Sequence, residues 1–397
     1  MNSPPASICI LGAARTPIGG LLGELAPLNA VALGASAITA ALGRANVPGD
    51  GVGGVVMGNV LSAGLGQAPA RQAAIAAGVP TSAPAVTINK MCGSGMQALI
   101  QCHDMLAAGG MGVLVAGGME SMSNAPFLLP RLRGGVKYGH SQVMDSMALD
   151  GLEDAYNPGR AMGTYADDTA AQLGFSRADQ DAFAERSLRL AQDAGTNGAL
   201  RDEIAEIAVP GRKGDTRIST DEQPRRADPS KIATLRPAFG AGGTVTAANA
   251  SSISDGAAAI VLAAESEAED RGLIPLARIV AHATHAQDPA WFTTAPAPAI
   301  RKVLARAGWS IDDVDLFEIN EAFAVVVLAA QRELGIPTDK VNVRGGACAV
   351  GHPIGASGAR IIVTLLAALR QQGLRRGVAA ICIGGGEATA VALELLH

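Results

Sequence analysis

The sequence contains a repeat of itself. Gly78-Val79-Pro80-Thr81, a β-rich run and a helix opening at Ser94-Gly95 recur about 260 residues later as Gly335-Ile336-Pro337-Thr338, a second such run and Ser357-Gly358. Two copies of one unit are implied, and each alternates strand-like with helix-like runs. That pattern predicts an α/β fold of duplicated, layered halves, with mostly parallel sheets and helix crossovers. The first half is expected over residues 1–121 plus 254–275, and the second over 276–397. Between them, residues 122–253 are rich in charged turns such as Gly211-Arg212-Lys213-Gly214-Asp215 and read as an inserted loop domain. Within it, Ser176 followed by Asp179 is a capping signal that predicts an amphipathic helix from Ser176 to Ala194. A pseudo-twofold axis would bring equivalent positions of the two halves to one shared cleft.

A chain of 397 residues, 48% of them apolar, can bury a substantial core. Aromatic residues make up only 3% while glycines number 49, so elements must approach closely over small and branched side chains. The net charge of −5 argues against nucleic acid as a partner. No apolar run reaches ~18 residues without glycine or charge, which argues against a membrane span, and no amino-terminal secretion pattern is present. Five cysteines at spacings that fit neither a disulfide framework nor a zinc site suit a reducing compartment, so a cytoplasmic location and no metal are expected.

Two of those cysteines stand apart. Ala85 to Asn89 reads as a strand and Gly95 to Leu106 as a helix, so Cys92 falls at the junction. Helix-start amides and flanking glycines there favour a thiolate and a close substrate approach. Cys382 ends the strand Val378 to Ile381 and meets Gly384-Gly385-Gly386, where the backbone turns sharply. Cys9, Cys102 and Cys348 lie among apolar or small residues and read as packing residues. His352, in Gly351-His352-Pro353, sits on a rigid loop opening a helix, the setting of a general base as well as of a satisfied core imidazole. Asn320-Glu321 follows the strand Val314 to Ile319, where a cap or buried hydrogen bond explains either residue as well as catalysis does.

Nearly end to end, the chain resembles the thiolases, through Ala14-Arg15-Thr16-Pro17-Ile18-Gly19, Met91-Cys92-Gly93-Ser94-Gly95, Gly117-Gly118-Met119-Glu120-Ser121-Met122, Leu235-Arg236-Pro237-Ala238-Phe239, Asn249-Ala250-Ser251, Asn320-Glu321-Ala322-Phe323, Gly351-His352-Pro353 and Cys382-Ile383-Gly384-Gly385-Gly386. Within the family it is most similar to the acetyl-CoA acetyltransferase branch. The resemblance implies reversible condensation of two acetyl-CoA molecules to acetoacetyl-CoA, with coenzyme A as substrate and no permanently bound cofactor. It implies that Cys92 takes the acyl group and His352 activates it. Cys382 would move the α-carbon proton. Asn320 would hold a water that binds one oxyanion with His352, and the amides of Cys92 and Gly384 would bind a second.

The same resemblance assigns Arg225 to the adenine side, Ser251 to the pantetheine, and Leu235, Ala238 and Phe239 to the tunnel wall, with Met162, Phe292 and Phe323 at the acyl end. It makes residues 122–253 the cover over coenzyme A, and Arg131 to Lys137 the loop that forms a homotetramer. Departures are Arg344 where asparagine is usual, Glu387-Ala388 after the glycine turn, Ala161 before Met162, and Phe292 at a position that is often methionine. Those near the acyl end leave a degradative 3-ketoacyl-CoA thiolase of broader chain length as the alternative. A noncatalytic acyl-CoA-binding relative would have no reason to hold two such thiols beside a histidine.

Overall fold

The computed structural model describes residues 6–396; residues 1–5 and 397, at the outer ends of the two expected halves, lie outside the described residues. The chain runs β1 (Ile8–Arg15), α1 (Ala30–Ala45), β2 (Val52–Gly58), α2 (Pro69–Ala76), β3 (Ala85–Ile88), α3 (Ser94–Ala107) and β4 (Val113–Ser121). An insert carries α4 (Met162–Leu173) and α5 (Arg177–Thr196) before β5 (Ser254–Ala264). The rest is β6 (Ala277–Ala286), α6 (Pro296–Ala307), β7 (Leu316–Ile319), α7 (Ala324–Leu334), α8 (Ile354–Gln372), β8 (Arg376–Ile383) and β9 (Glu387–Leu395).

Strand pairing carries the repeat into three dimensions. The main sheet reads β7-β8-β9-β6-β1-β5-β4-β2-β3. Outward from its middle, β1–β5 and β6–β9 are antiparallel, β5–β4 and β9–β8 are antiparallel, and β4–β2 and β8–β7 are parallel. Even the outermost partner matches, since β3 runs parallel to β2 and Val341 makes a parallel bridge to Phe317 of β7. The halves meet where Cys9 and Ile10 of β1 pair antiparallel with Arg278 and Ala277 of β6. The α/β class and duplicated layout are those the sequence predicts. The sheet is mixed: parallel pairs occupy its outer parts, where helices cross between strands, while β8 and β9 join through Gly384-Gly385-Gly386, a link short enough only for an antiparallel hairpin.

Side-chain alternation along the strands sorts the core into layers. Leu114 and Ile260 on one face, with Ile381 and Leu393 of the second half, pack against Leu99 of α3 and Ile361 and Leu365 of α8. Val115 and Val261, pointing the other way, lie under α1 and α2, and Phe317 and Val378 lie under α6 and α7. The helices α3 and α8 therefore form the middle layer, and α8 is buried on every side from Ile354 to Leu369. Their backbones nearly touch. A Cβ on Gly358 would lie 2.5 Å from the Met96 amide, and one on Gly95 would lie 2.7 Å from the Ala359 amide.

The insert is tied down by buried polar groups. Ser176 and Asp179 form the reciprocal cap expected for α5, and Arg186 of that helix donates to the Val341 carbonyl at 3.0 Å. Arg15 of β1 pairs with Glu203 at 2.6 Å and Asp221 at 2.7 Å. Arg344, one of the departures, joins the same network at Glu203, 3.1 Å away. Among the described residues no helix is long and apolar enough to cross a membrane.

The helix crossing makes Gly358→Val destabilising by about 1–3 kcal/mol or more, because a backbone amide cannot yield to the new atoms. Gly43→Ala in α1, whose added Cβ would meet nothing within 4 Å, is expected to stabilise by about 0.5–1 kcal/mol. Urea midpoints compare the two; an unchanged midpoint for Gly358→Val would refute the tight crossing.

Candidate active site

Cys92 lies just ahead of α3, in a loop held open against its own preference. Met91 adopts a left-handed φ of 47°, a strained conformation for a side-chain-bearing residue. The loop is pinned by the Met91 amide donating to Asn89 Oδ1 at 2.9 Å, the Lys90 amide donating to Ser94 Oγ at 2.8 Å, and that hydroxyl donating to the Met91 carbonyl at 2.6 Å. Gly93 packs closely there: a Cβ would stand 2.4 Å from Cδ1 of Ile383, whose side chain would have to move. That approach sets the Cys92 loop against the carboxyl end of β8, where Cys382 is completely buried. Lys90 and Glu387 form an ion pair across the same junction.

Neither sulfur rests as an anion. Burial pushes the Cys92 thiol up to about 11, against the pull of the Gly384 amide and its own, which favour the thiolate. Burial, and then the neighbouring Cys92, drive Cys382 well above the ordinary thiol range. The helix-start amides expected from sequence are not the donors, since those of Gly93 and Ser94 bond the Lys90 and Met91 carbonyls; the amides of Gly384 and Cys92 act instead, and desolvation outweighs them.

His352 supplies the missing acceptor. Its pKa is pushed down to about 3, first by burial and then by the Arg360 guanidinium, so the ring is neutral. Ser357 Oγ donates to the Pro353 carbonyl at 3.0 Å and lies 2.5 Å from His352 Nδ1. With its one proton so used, the hydroxyl accepts from Nδ1–H, which assigns the ring's lone pair to Nε2. That Nε2 and Asn320 Nδ2 are buried without a hydrogen-bond partner among the described residues, the condition of groups suited to receiving a ligand's polar atoms. Arg360 bridges them to the core, paired with Glu318 at 3.0 Å and 3.4 Å from Asn320 Oδ1. Glu120 clamps the two halves together, accepting from Asn59 Nδ2 (2.8 Å) and the amides of Val60, Leu61 and Gly355 (3.0, 3.1 and 2.9 Å).

The other sequence-nominated residues fall into two groups. Met162, Phe239, Phe292 and Phe323 form one apolar cluster with Cys382. Phe292 is buried edge-on between Tyr165 and Phe323, with ring centroids 6.5 Å from each, and Phe239 stands edge-on to Phe323 at 6.2 Å. Met162 Cε would be 3.4 Å from a Cβ on Gly384. Leu235 belongs to a separate cleft of about 310 Å³ lined also by Arg226, Lys231, Ala248, Ser252 and Cys348. The Ser252 carbonyl accepts from the His352 amide at 3.1 Å, so this cleft and the His352 loop share a wall.

Ala238 and Ser251 contribute backbone bonds nearby, to Val245 and Ala322 at 2.8 and 2.9 Å. Arg225 stands elsewhere: it pairs with Glu24 at 2.5 Å and lines a different cavity, while Arg226 faces the cleft. Cys348, read from sequence as packing, is also a cleft residue. Sequence reasoning missed Ser357 and Arg360 as partners of the imidazole; an arginine in an otherwise apolar helix was the available signal.

Comparison with known proteins identifies the family of the fold that holds this site. The description "Thiolase, N-terminal domain" matches residues 8–266 and "Thiolase, C-terminal domain" matches residues 273–395. The chain is 50% identical to acetyl-CoA acetyltransferase 2 of Arabidopsis thaliana, covering 99% of this chain and 98% of the relative. It is 49% identical to the acetyl-CoA acetyltransferase of Shinella zoogloeoides, covering 98% of each. Among solved structures it resembles the Acat5 thiolase of Ascaris suum in complex with coenzyme A, with a TM-score of 0.92 and 42% identity over 98% of this chain and all of that one. The acetyl-CoA acetyltransferase of Bacillus anthracis matches with a TM-score of 0.96 and 39% identity over the whole of both chains.

A thiol protonated at rest has a measurable signature. Iodoacetamide labelling of Cys92, followed by peptide mass spectrometry, should accelerate by about tenfold per pH unit from pH 7 to 10, since only the thiolate reacts. A rate already at plateau near neutrality would mean a standing ion pair.

Proposed function

The chain belongs to the thiolase family, and we propose that it joins two acetyl-CoA molecules into acetoacetyl-CoA and free coenzyme A, with reverse thiolysis at the same site. The observation that carries this reading is the pair of protonated thiols, one acting on the other, together with a buried neutral imidazole whose Nε2 is unpartnered among the described residues and which opens the helix packed against α3. A proton circuit follows from those resting states. His352 takes the Cys92 proton as the sulfur attacks the thioester carbonyl. The departing coenzyme A sulfur takes a proton from Cys382, leaving acetyl-Cys92, an imidazolium and a Cys382 thiolate.

That thiolate removes the α-proton of the second acetyl-CoA, and the enolate attacks acetyl-Cys92. Cys92 leaves and recovers its proton from His352, which restores the starting state. The amides of Cys92 and Gly384 support one developing oxyanion. His352 Nε2, with Asn320 acting through a bound water, supports the other; each such donor is worth about 3 kcal/mol. Residues 122–253 serve as the cover over coenzyme A, which enters along the cleft of Leu235 and Ser252. The substrate is its only coenzyme in this scheme. The five free cysteines support a reducing compartment such as the cytoplasm, which cell fractionation tests. Exposed Leu132 and Val136 on the loop Arg131 to Lys137 are the contacts of a homotetramer.

Mass spectrometry after acetyl-CoA treatment should show one acetyl group on Cys92, none in Cys92→Ala, and a retained adduct in Cys382→Ser despite lost condensation. His352→Ala should slow acetylation itself; rapid labelling in that variant would remove His352 from its role. For chain length, the buried ring of Phe292 shortens the acyl end. Thiolysis kcat/KM should therefore fall from C4 to C10 3-ketoacyl-CoA, by about 10-fold or more per step of two methylenes. A maximum at C8 would favour the degradative reading instead. Sedimentation of a chain lacking residues 131–137 should show dimers, and an intact tetramer would exclude that loop.

A further inference from the structure

At the far end of α3 from the thiols, His103 and Asp104 meet His282 of β6. His103 Nδ1 lies 3.0 Å and His282 Nε2 lies 2.9 Å from the same oxygen, Asp104 Oδ1. All three ligand-type atoms lie within 4.8 Å of one another, and the two rings stand nearly perpendicular, 77° apart, with centroids at 4.9 Å. We propose that His103, Asp104 and His282 form a binding site for a divalent transition cation of the zinc type.

The donor set is two imidazoles and one carboxylate, which such cations take at about 2.0–2.2 Å. Tetrahedral bonds of that length put neighbouring donors about 3.3–3.6 Å apart, and two of the three separations, at 3.0 and 2.9 Å, need open by only a few tenths of an ångström to reach it. The imidazoles are mostly buried while the Asp104 side chain is 58% exposed, leaving an entry path and room for water ligands. Burial holds His282 below its ordinary range, which favours the neutral, ligating imidazole. The nearby cation, Arg306, is occupied on the backbone, donating to the His282 carbonyl at 2.6 Å.

The site lies about 18 Å along α3 from Cys92 at 1.5 Å per residue, so its role is structural. It would fasten a helix of the first half to a strand of the second.

The test uses chelator-treated protein with Co²⁺ as spectroscopic probe and Zn²⁺ as stabiliser. One Co²⁺ per chain is expected, with visible bands of nitrogen and oxygen ligation and no thiolate charge-transfer band. Zn²⁺ should raise Tm, because it binds the folded state. Both affinities should weaken by roughly tenfold or more in His282→Ala, and stay unchanged in Cys92→Ala. Should His282→Ala fail to fold by circular dichroism, His103→Gln gives the same reading. Absence of Co²⁺ binding, binding indifferent to the histidine substitutions, or binding lost with Cys92 would each overturn the proposal.

Discussion

The contact between α3 and α8 at Gly95 and Gly358 is the constraint from which the site follows. Each helix begins beside a reactive residue, Cys92 ahead of α3 and His352 ahead of α8. Because the two backbones approach without intervening side chains, the two helix starts are drawn to one place. A side chain at the crossing would separate the imidazole from the thiol before it disturbed either loop. The Glu120 clamp acts toward the same end, since it binds Gly355 at the start of α8 and the Asn59 to Leu61 loop of the first half.

Burial sets the chemistry as much as geometry does. Every titratable group at the reacting centre is driven toward its neutral form: thiols upward, imidazole downward. The thiols and the imidazole thus hold no charge at rest, and the standing charge nearby is the Arg360 guanidinium, which is met by Glu318 at 3.0 Å. The low dielectric that suppresses the resting thiolate also strengthens the interaction of each nearby backbone amide with any charge that does arise.

Much of this was legible in the sequence, for identifiable reasons. The Ser176 and Asp179 cap is a local interaction with a local signal, and the repeated glycine and proline motifs reported duplicated strand order. What sequence missed depends on long-range contact. Strand and helix alternation does not say which strands become neighbours, so the antiparallel pairs in the middle of the sheet were not foreseen. Dipole and glycine arguments found Cys92 but could not weigh its desolvation. Arg225 and Arg226 are adjacent in sequence yet line different cavities, a distinction only the backbone direction makes. His103 and Asp104 meet His282 across 178 residues, beyond any spacing rule.

The two halves differ most in one connection. The strands β8 and β9 are joined by three glycines, whereas the equivalent strands β4 and β5 are separated by residues 122–253. The same joint is thus sealed in one copy and spliced open in the other. The symmetric frame carries one of the site's two thiols near the carboxyl end of a strand in each copy, Cys92 past β3 and Cys382 in β8, while the attachment enters at a single seam. Such a division lets the attachment vary in length and sequence while the strands of the frame stay registered to each other.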